Sequence, residues 1–182
     1  NGVNPATGIF EFLDANGKPT SNPMYRETTS ILNDQYMTED ATPKFMAGLG
    51  NTFTYKNFSL TLFFQGAKQT GLNYLYSVYS NFLPGGYGIN QPVEVLNAWH
   101  QPGDVAQIQE YSTGYYNPVA YNAADRFRNS SGVWGDASYI RLKTASLSYS
   151  ISAALARKLG MQGGNIYVNA QNLFTITGYA LG

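Results

Sequence analysis

Hydrophobic and polar residues alternate most regularly from residue 45 to residue 65. Phe45, Ala47, Leu49, Phe53 and Tyr55 alternate with Met46, Gly48, Gly50, Thr52 and Thr54. After a short turn at Lys56 and Asn57, Phe58, Leu60, Leu62 and Phe64 alternate with Ser59, Thr61, Phe63 and Gln65. A period of two predicts a hairpin of two strands, each about ten residues long. That length matches the roughly 9–11 residues that cross a bilayer at a tilt.

The same pattern returns in "DASYIRLKTASLSYSI" (136–151), where Ala145, Leu147, Tyr149 and Ile151 oppose Thr144, Ser146, Ser148 and Ser150. Ile140 and Leu142 share the parity of those hydroxyls, which predicts a bulge near 143–145. In "NIYVNAQNLFTITGY" (165–179), Ile166, Val168, Ala170, Phe174 and Ile176 oppose Tyr167, Asn169, Gln171 and Thr175. Asn172 breaks the apolar face, either as a second bulge or because the strand has left an apolar layer there. A strand of a soluble sandwich ordinarily alternates with charged residues, since its outer face meets water. Small hydroxyls and amides instead suit the polar wall of a wide barrel lumen, with the apolar face on lipid.

The other segments read differently. Residues 1–42 predict loop with at most a short hairpin turning at Asn16 and Gly17. "DANG" (14–17) resembles the start of a calcium loop but lacks the later acidic ligands and the closing Glu, so a plain turn is expected. Residues 69–135 contain no strand pair and are rich in Tyr, Asn, Gly and Pro. Within them "QPVEVLNAW" (91–99) predicts a short helix with Val93, Leu96 and Trp99 on one side. A loop this long signals function or disorder, and its aromatics argue against disorder. Residues 151–165 form a connection with a brief helix. A short turn, a very long loop and a shorter connection is the rhythm of outer-membrane barrels.

Composition sharpens this picture without deciding it. Only 12% of the 182 residues are charged, about half the usual share, while 15% are aromatic, with 15 Tyr and 10 Phe. Net charge is zero, which lends no support to nucleic acid or an anionic membrane surface as partner. There is no cysteine, hence no disulfide and no thiolate metal site. No charged stretch followed by an apolar run opens the chain, so a signal peptide is absent or was removed, and no apolar run approaches the roughly 18 residues of a membrane helix. Both a transmembrane β-barrel and a secreted carbohydrate-binding β-sandwich fit these values.

Candidate chemistry is sparse. The one histidine, His100, lies near Asp104 in "AWHQPGD", without a nucleophile elbow or metal-ligand spacing, so neither an enzyme nor a cofactor or metal is expected. Tyr76, Tyr79, Trp99, Tyr115 and Tyr116 are candidate substrate or partner contacts; the competing reading packs them into the long segment's own core. Phe45, Leu49, Phe58, Leu60, Leu62, Leu147 and Val168 are the candidate lipid-facing residues. Tyr55, Phe58, Tyr149 and Tyr179 stand at strand ends, as interface girdles do. Arg141 and Lys143 would bind an acidic substrate or sit at the strand's wet outer end.

Four segments in order, "TPKFMAGLGNTFTYKNFSLTLFFQ" (42–65), "NQPVEVLNAWHQPGD" (90–104), 136–151 and 165–179, resemble the C-terminal part of the SusC/RagA family of TonB-dependent transporters of the Bacteroidota outer membrane. "NPATGIFEFLDANG" (4–17) is also similar to the family's preceding segment. The resemblance implies a C-terminal fragment of a 22-stranded barrel with one long extracellular loop. Its parts would be 1–42 as loop or hairpin, 43–66 as strand hairpin, 67–136 as extracellular loop and 137–177 as two further strands. It implies import of large nutrients, most often oligosaccharides and sometimes peptides. The implied partners are a SusD-like lipoprotein and TonB, the latter through an N-terminal part this sequence lacks. The expected fold is therefore all-β and antiparallel, in an outer membrane, and the fragment alone is not expected to transport.

Overall fold

The structure is a computed structural model and describes residues 2–24, 34–81, 83–113 and 116–179. In chain order come the strands β1 (Gly2–Val3), β2 (Phe10–Leu13), β3 (Pro19–Thr20), β4 (Phe45–Tyr55) and β5 (Phe58–Lys68). Next are β6 (Thr70–Leu72), helix α1 (Tyr74–Asn81), a 3₁₀ turn at Val93–Asn97 and helix α2 (Pro118–Phe127). A second 3₁₀ turn at Ser131–Val133 precedes β7 (Trp134–Asp136), β8 (Tyr139–Ser150), helix α3 (Ala153–Lys158) and β9 (Asn165–Thr177). They form two compact units, one of 41–70 with 136–179 and one of the remaining residues.

In the first unit β4, β5, β8 and β9 make one antiparallel sheet in the order β4-β5-β8-β9. All pairings are antiparallel, as the alternating patterns require. The sequence's β-branched and aromatic residues suit this pleated surface. Connections are local on one side: Lys56 and Asn57 turn β4 into β5, with Lys56 at φ 51. Residues 151–164 carry β8 into β9 through α3, whose N-cap Ser152 accepts the Leu155 N–H at 3.4 Å.

The second unit contains a hydrophobic core of its own. Phe10 and Phe127 stack at 4.0 Å with rings 2° from parallel, and Tyr79 meets both edge-on at 5.1 and 5.2 Å. Leu75, Val78, Val95, Ile108 and Val133 complete it. Helix α1 buries Leu75, Val78 and Tyr79, and α2 buries Ala120, Ala123, Ala124 and Phe127. The α2 stripe recurs at i, i+3, i+4 and i+7, one face of a helix. Asn117 caps α2 by accepting the Ala120 N–H at 3.1 Å, and Pro118 opens it.

The structure adds detail to two expectations here. Residues 67–136 are not a plain loop, for α1, α2 and two 3₁₀ turns organise them around that core. The 91–99 segment forms a 3₁₀ turn at Val93–Asn97 that sets Val93 and Leu96 on one side, with Trp99 beyond its end. A 3₁₀ turn repeats every three residues, so Val95 and Ala98 are buried while Val93 and Leu96 stand exposed at 69% and 71%.

Near the start of the chain β2 and β3 form a hairpin, and β1 pairs with β2. Its turn is held by Asp14, whose Oδ1 accepts the N–H groups of Asn16 and Lys18 at 2.8 Å each. Those bonds, from Lys18 first, hold the Asp14 carboxyl below its ordinary pKa. The side chain thus acts as a turn former, the plain-turn reading of "DANG".

Candidate functional site

Residues paired across an antiparallel ladder share a face, so the register assigns every side chain. Leu60 pairs with Phe53 and Leu147, and Leu147 pairs with Val168. Phe58 pairs with Tyr55 and Tyr149, and Tyr149 with Ile166; Leu49 pairs with Phe64, and Phe64 with Leu142. One face is therefore apolar from edge to edge along these rows, interrupted by Asn51, which pairs with Leu62, and bounded by Lys68, which pairs with Phe45. The seven residues Phe45, Leu49, Phe58, Leu60, Leu62, Leu147 and Val168 all stand on it.

The other face is mostly polar and uncharged. Thr52 and Thr61 share a hydroxyl hydrogen bond at 3.0 Å, and the Ser146 hydroxyl donates to Asn169 Oδ1 at 2.6 Å. Arg141 is its one guanidinium; its Nε donates to Thr175 Oγ1 at 2.9 Å and its Cζ lies 5.1 Å from the Tyr139 ring centre. Met46 and Phe63 are large apolar exceptions, and the Phe63 ring lies over Gly48, where a Cβ would meet it at 3.2 Å.

The two faces stay in phase because the ladder is interrupted once. β8 skips one residue between Leu142 and Thr144 against both neighbours. In β9 Asn172, at φ 52, lies in the same gap. Ile140 and Leu142 thereby join the apolar face despite their parity. The expected bulge falls at Lys143, and Asn172 is part of it, which decides between the two readings of that residue.

The apolar face is uncovered. Phe45, Leu49, Phe53, Ile166, Val168 and Ile176 are 56–68% exposed. Each large apolar side chain left in water forgoes about 1.5–3 kcal/mol. A handful of them therefore equals the whole 5–15 kcal/mol or so of a folded domain. A sandwich would have buried this face against a second sheet, and among the described residues none packs on it. At about 3.3 Å per residue, 11 residues span roughly 36 Å, or about 26 Å when tilted 45°. That is the height of the lipid-facing band of a membrane barrel, about 25 Å. Aromatics gather at the turn end, where the Phe58 and Tyr149 rings lie 4.7 Å apart beside Tyr55.

In the other unit the contact candidates separate. Tyr79 is 3% exposed, and its hydroxyl accepts the Gln109 N–H at 3.0 Å. Burial also pushes its hydroxyl pKa upward. It is a core residue and not a contact surface. Trp99 is half-buried, donates from Nε1 to the Pro5 carbonyl at 2.8 Å and lays its ring on Gly8, so it latches two loops together. Tyr76 and Tyr116 are exposed at 37% and 84%, and Tyr115 lies outside the described residues. Tyr87, at 98% exposure, and Tyr111, at 44%, are exposed rings that sequence reasoning passed over; no periodic signal marks them.

The remaining chemistry is structural. Asp104 accepts the N–H groups of His100 and Gln101 at 3.0 Å each, which engages it in a turn. No group of three or more His, Cys, Asp or Glu that could hold a metal occurs among the described residues. A cleft of about 830 Å³ is lined by residues that include Phe12, Met24, Tyr36, Met37 and Arg126, but by none of the five contact candidates. No helix among the described residues is long and apolar enough to cross a membrane, a statement that does not bear on strands.

No family model matches the chain. It is 30% identical over 175 residues, 96% of its length, to TonB-dependent receptor P3 of Formosa agariphila, of which it spans 15%. It is also similar to the solved RagAB peptide transporter, with a TM-score of 0.64 and 23% identity, covering 98% of this chain and 19% of that one. The RagAB peptide importer in the open-open state matches with a TM-score of 0.65 and 19% identity over 98% of this chain and 18% of that one. At such identities the structures show a shared fold. They do not extend the four strands of this sheet to a closed barrel.

Proposed function

We infer that this chain, a SusC/RagA-like segment of a TonB-dependent receptor, is one wall of an outer-membrane barrel together with the folded segment that follows the β4–β5 hairpin. The observation that carries the inference is the broad, uncovered apolar face of β4, β5, β8 and β9, backed by a face of mostly hydroxyl and amide side chains. In this reading the seven apolar candidates meet lipid, and the serines, threonines and amides line a wet lumen. The open edges at β4 and β9 continue into further strands of a 22-stranded barrel.

The whole receptor imports a large nutrient across the outer membrane of a Gram-negative bacterium, with energy relayed by TonB and a SusD-like lipoprotein at the outer side. Oligosaccharide is the substrate class proposed, with peptide as the competing class, since the similar solved structures are of a peptide transporter. Tyr76 and Tyr116 remain the proposed aromatic contacts, being exposed and able to stack on sugar rings. The secreted-sandwich reading loses its support because the face that such a fold buries is bare.

The test is uptake by cells that rely on the full-length receptor. Labelled oligosaccharides and labelled peptides of similar size are offered in parallel, with deletion of the receptor as control. Receptor-dependent glycan uptake supports the proposal. Uptake of peptide alone replaces the substrate class, and a receptor recovered in the soluble fraction overturns the membrane reading.

A further inference from the structure

The chain's zero net charge hides a division between its two units. The sheet unit contains seven cations, and every acid of the chain except Asp136 lies outside it. Asp136 is already engaged with Lys68 at 3.8 Å, near the end of the sheet away from the turns. At the turn end stand Lys56, Arg157 and Lys158, and none of the three enters an ion pair among the described residues.

These cations sit on two connections that are tied side by side. Ser150 N–H donates to the Asn57 carbonyl at 2.8 Å, Asn57 Nδ2 donates to the Ser150 carbonyl at 2.7 Å, and Ile151 N–H donates to the Gly164 carbonyl at 2.8 Å. Lys56 holds its ammonium 5.3 Å from the centre of the Tyr55 ring. Helix α3 buries Ala156 completely, yet Leu155, Leu159 and Met161 around it are exposed at 44%, 59% and 39%. Exposed aliphatic side chains interleaved with unpaired cations, next to an aromatic strand end, make an amphipathic surface fitted to the boundary between acyl chains and headgroups.

We propose that this turn end is a binding site for an anionic phospholipid, whose phosphate is held by Lys56, Arg157 and Lys158 while Leu155, Leu159 and Met161 contact its upper acyl chain. The proposal rests on the reading that the apolar face meets lipid, and charge complementarity selects the occupant. A phosphodiester supplies the anion that this unit's own sequence withholds. A zwitterionic lipid offers no net charge to match three cations, and neutral detergent offers none at all.

The full-length receptor is reconstituted in nanodiscs of equal parts phosphatidylglycerol and phosphatidylcholine, and native mass spectrometry counts the lipids it retains. The expected result is about a tenfold preference for phosphatidylglycerol, reduced to near parity in K56Q/R157Q/K158Q and, for the unaltered protein, at about 1 M salt. K44Q/K143Q is expected to keep the preference. No preference in the unaltered protein, or one that survives the triple substitution and high salt, overturns the site. A receptor that stays soluble without detergent instead overturns the membrane reading itself. The salt series needs no variant, so misfolding of the triple substitution cannot mask the answer.

Discussion

Lys143 of β8 and Asn172 of β9 occupy the same interruption of the sheet, between the paired rows Leu142–Phe174 and Thr144–Gln171. The extra residue in β8 is what lets Ile140 and Leu142 share a face with Leu147. Because side chains alternate with period two, removing one residue there inverts every position on one side of it. Deletion of Lys143 is expected to lower the amount of folded, heat-modifiable receptor by about tenfold. K143A keeps the residue count and is expected to leave it near normal.

Asn172 adopts φ 52, a left-handed conformation that Asn and Gly tolerate. Asn172→Gly is expected to change stability by less than about 0.5 kcal/mol, and Asn172→Val to cost about 1–2 kcal/mol. Urea midpoints of the purified receptor separate the two.

Gly8 and Gly88 share nearly the same backbone angle, φ +71 and +72, but not the same surroundings. A Cβ on Gly8 would come within 2.3 Å of the Trp99 ring, whereas one on Gly88 meets nothing within 4 Å. Gly88→Ala is expected to cost about 1 kcal/mol, from conformation alone. Gly8→Ala adds a clash and is expected to cost about 2–4 kcal/mol and to free the Trp99 indole, read as a shift in its fluorescence.

Gln109 is 1% exposed and serves two backbone groups with its side chain. Its Oε1 accepts the Phe10 N–H at 3.3 Å, and its Nε2 donates to the Ala120 carbonyl at 2.6 Å. Gln109→Leu leaves the Phe10 N–H buried and without this partner and strips the Ala120 carbonyl of its second bond, at a cost of about 1–3 kcal/mol. Limited proteolysis between residues 71 and 135 is expected to accelerate accordingly.

Asp14 titrates below the ordinary aspartate value because the Lys18 and Asn16 N–H groups bond its carboxylate. A depressed folded pKa contributes stability that is fully present above the unfolded value, near 4, and is lost as pH falls through the lower folded value. Hydrogen exchange in the β2–β3 hairpin is therefore expected to rise below about pH 4. In D14A it is expected to be raised at all pH values and to lose this acid dependence.

The four long strands were legible because each pairs apolar with small polar residues at strict period two, and the phase break at Ile140 and Leu142 announced the bulge. The helices were less so. The buried stripe of α2 is Ala120, Ala123, Ala124 and Phe127, and alanine gives little contrast against the Tyr, Asn and Asp around it, although Asn117 and Pro118 marked its start. Val93 and Leu96 share one side of their 3₁₀ turn, but the period of three does not tell which side is buried, and here it is that of Val95 and Ala98. Tyr79 and Tyr76, both on α1, look alike in sequence, and only the Phe10–Phe127 stack decides that Tyr79 belongs to the core.

Neighbouring residues Thr61 and Leu62 of β5 stand on opposite faces, paired with Ser146 and Ala145. The most direct test places single cysteines there, T61C and L62C, in a cysteine-free full-length receptor in intact outer membranes. Each is then challenged with a water-soluble and a lipid-soluble thiol reagent. A hydroxyl face toward a wet lumen and an apolar face toward lipid predict that T61C reacts with the water-soluble reagent while L62C is reached only by the lipid-soluble one. Equal labelling of both sites by the water-soluble reagent would contradict the assignment of the sheet to a membrane wall.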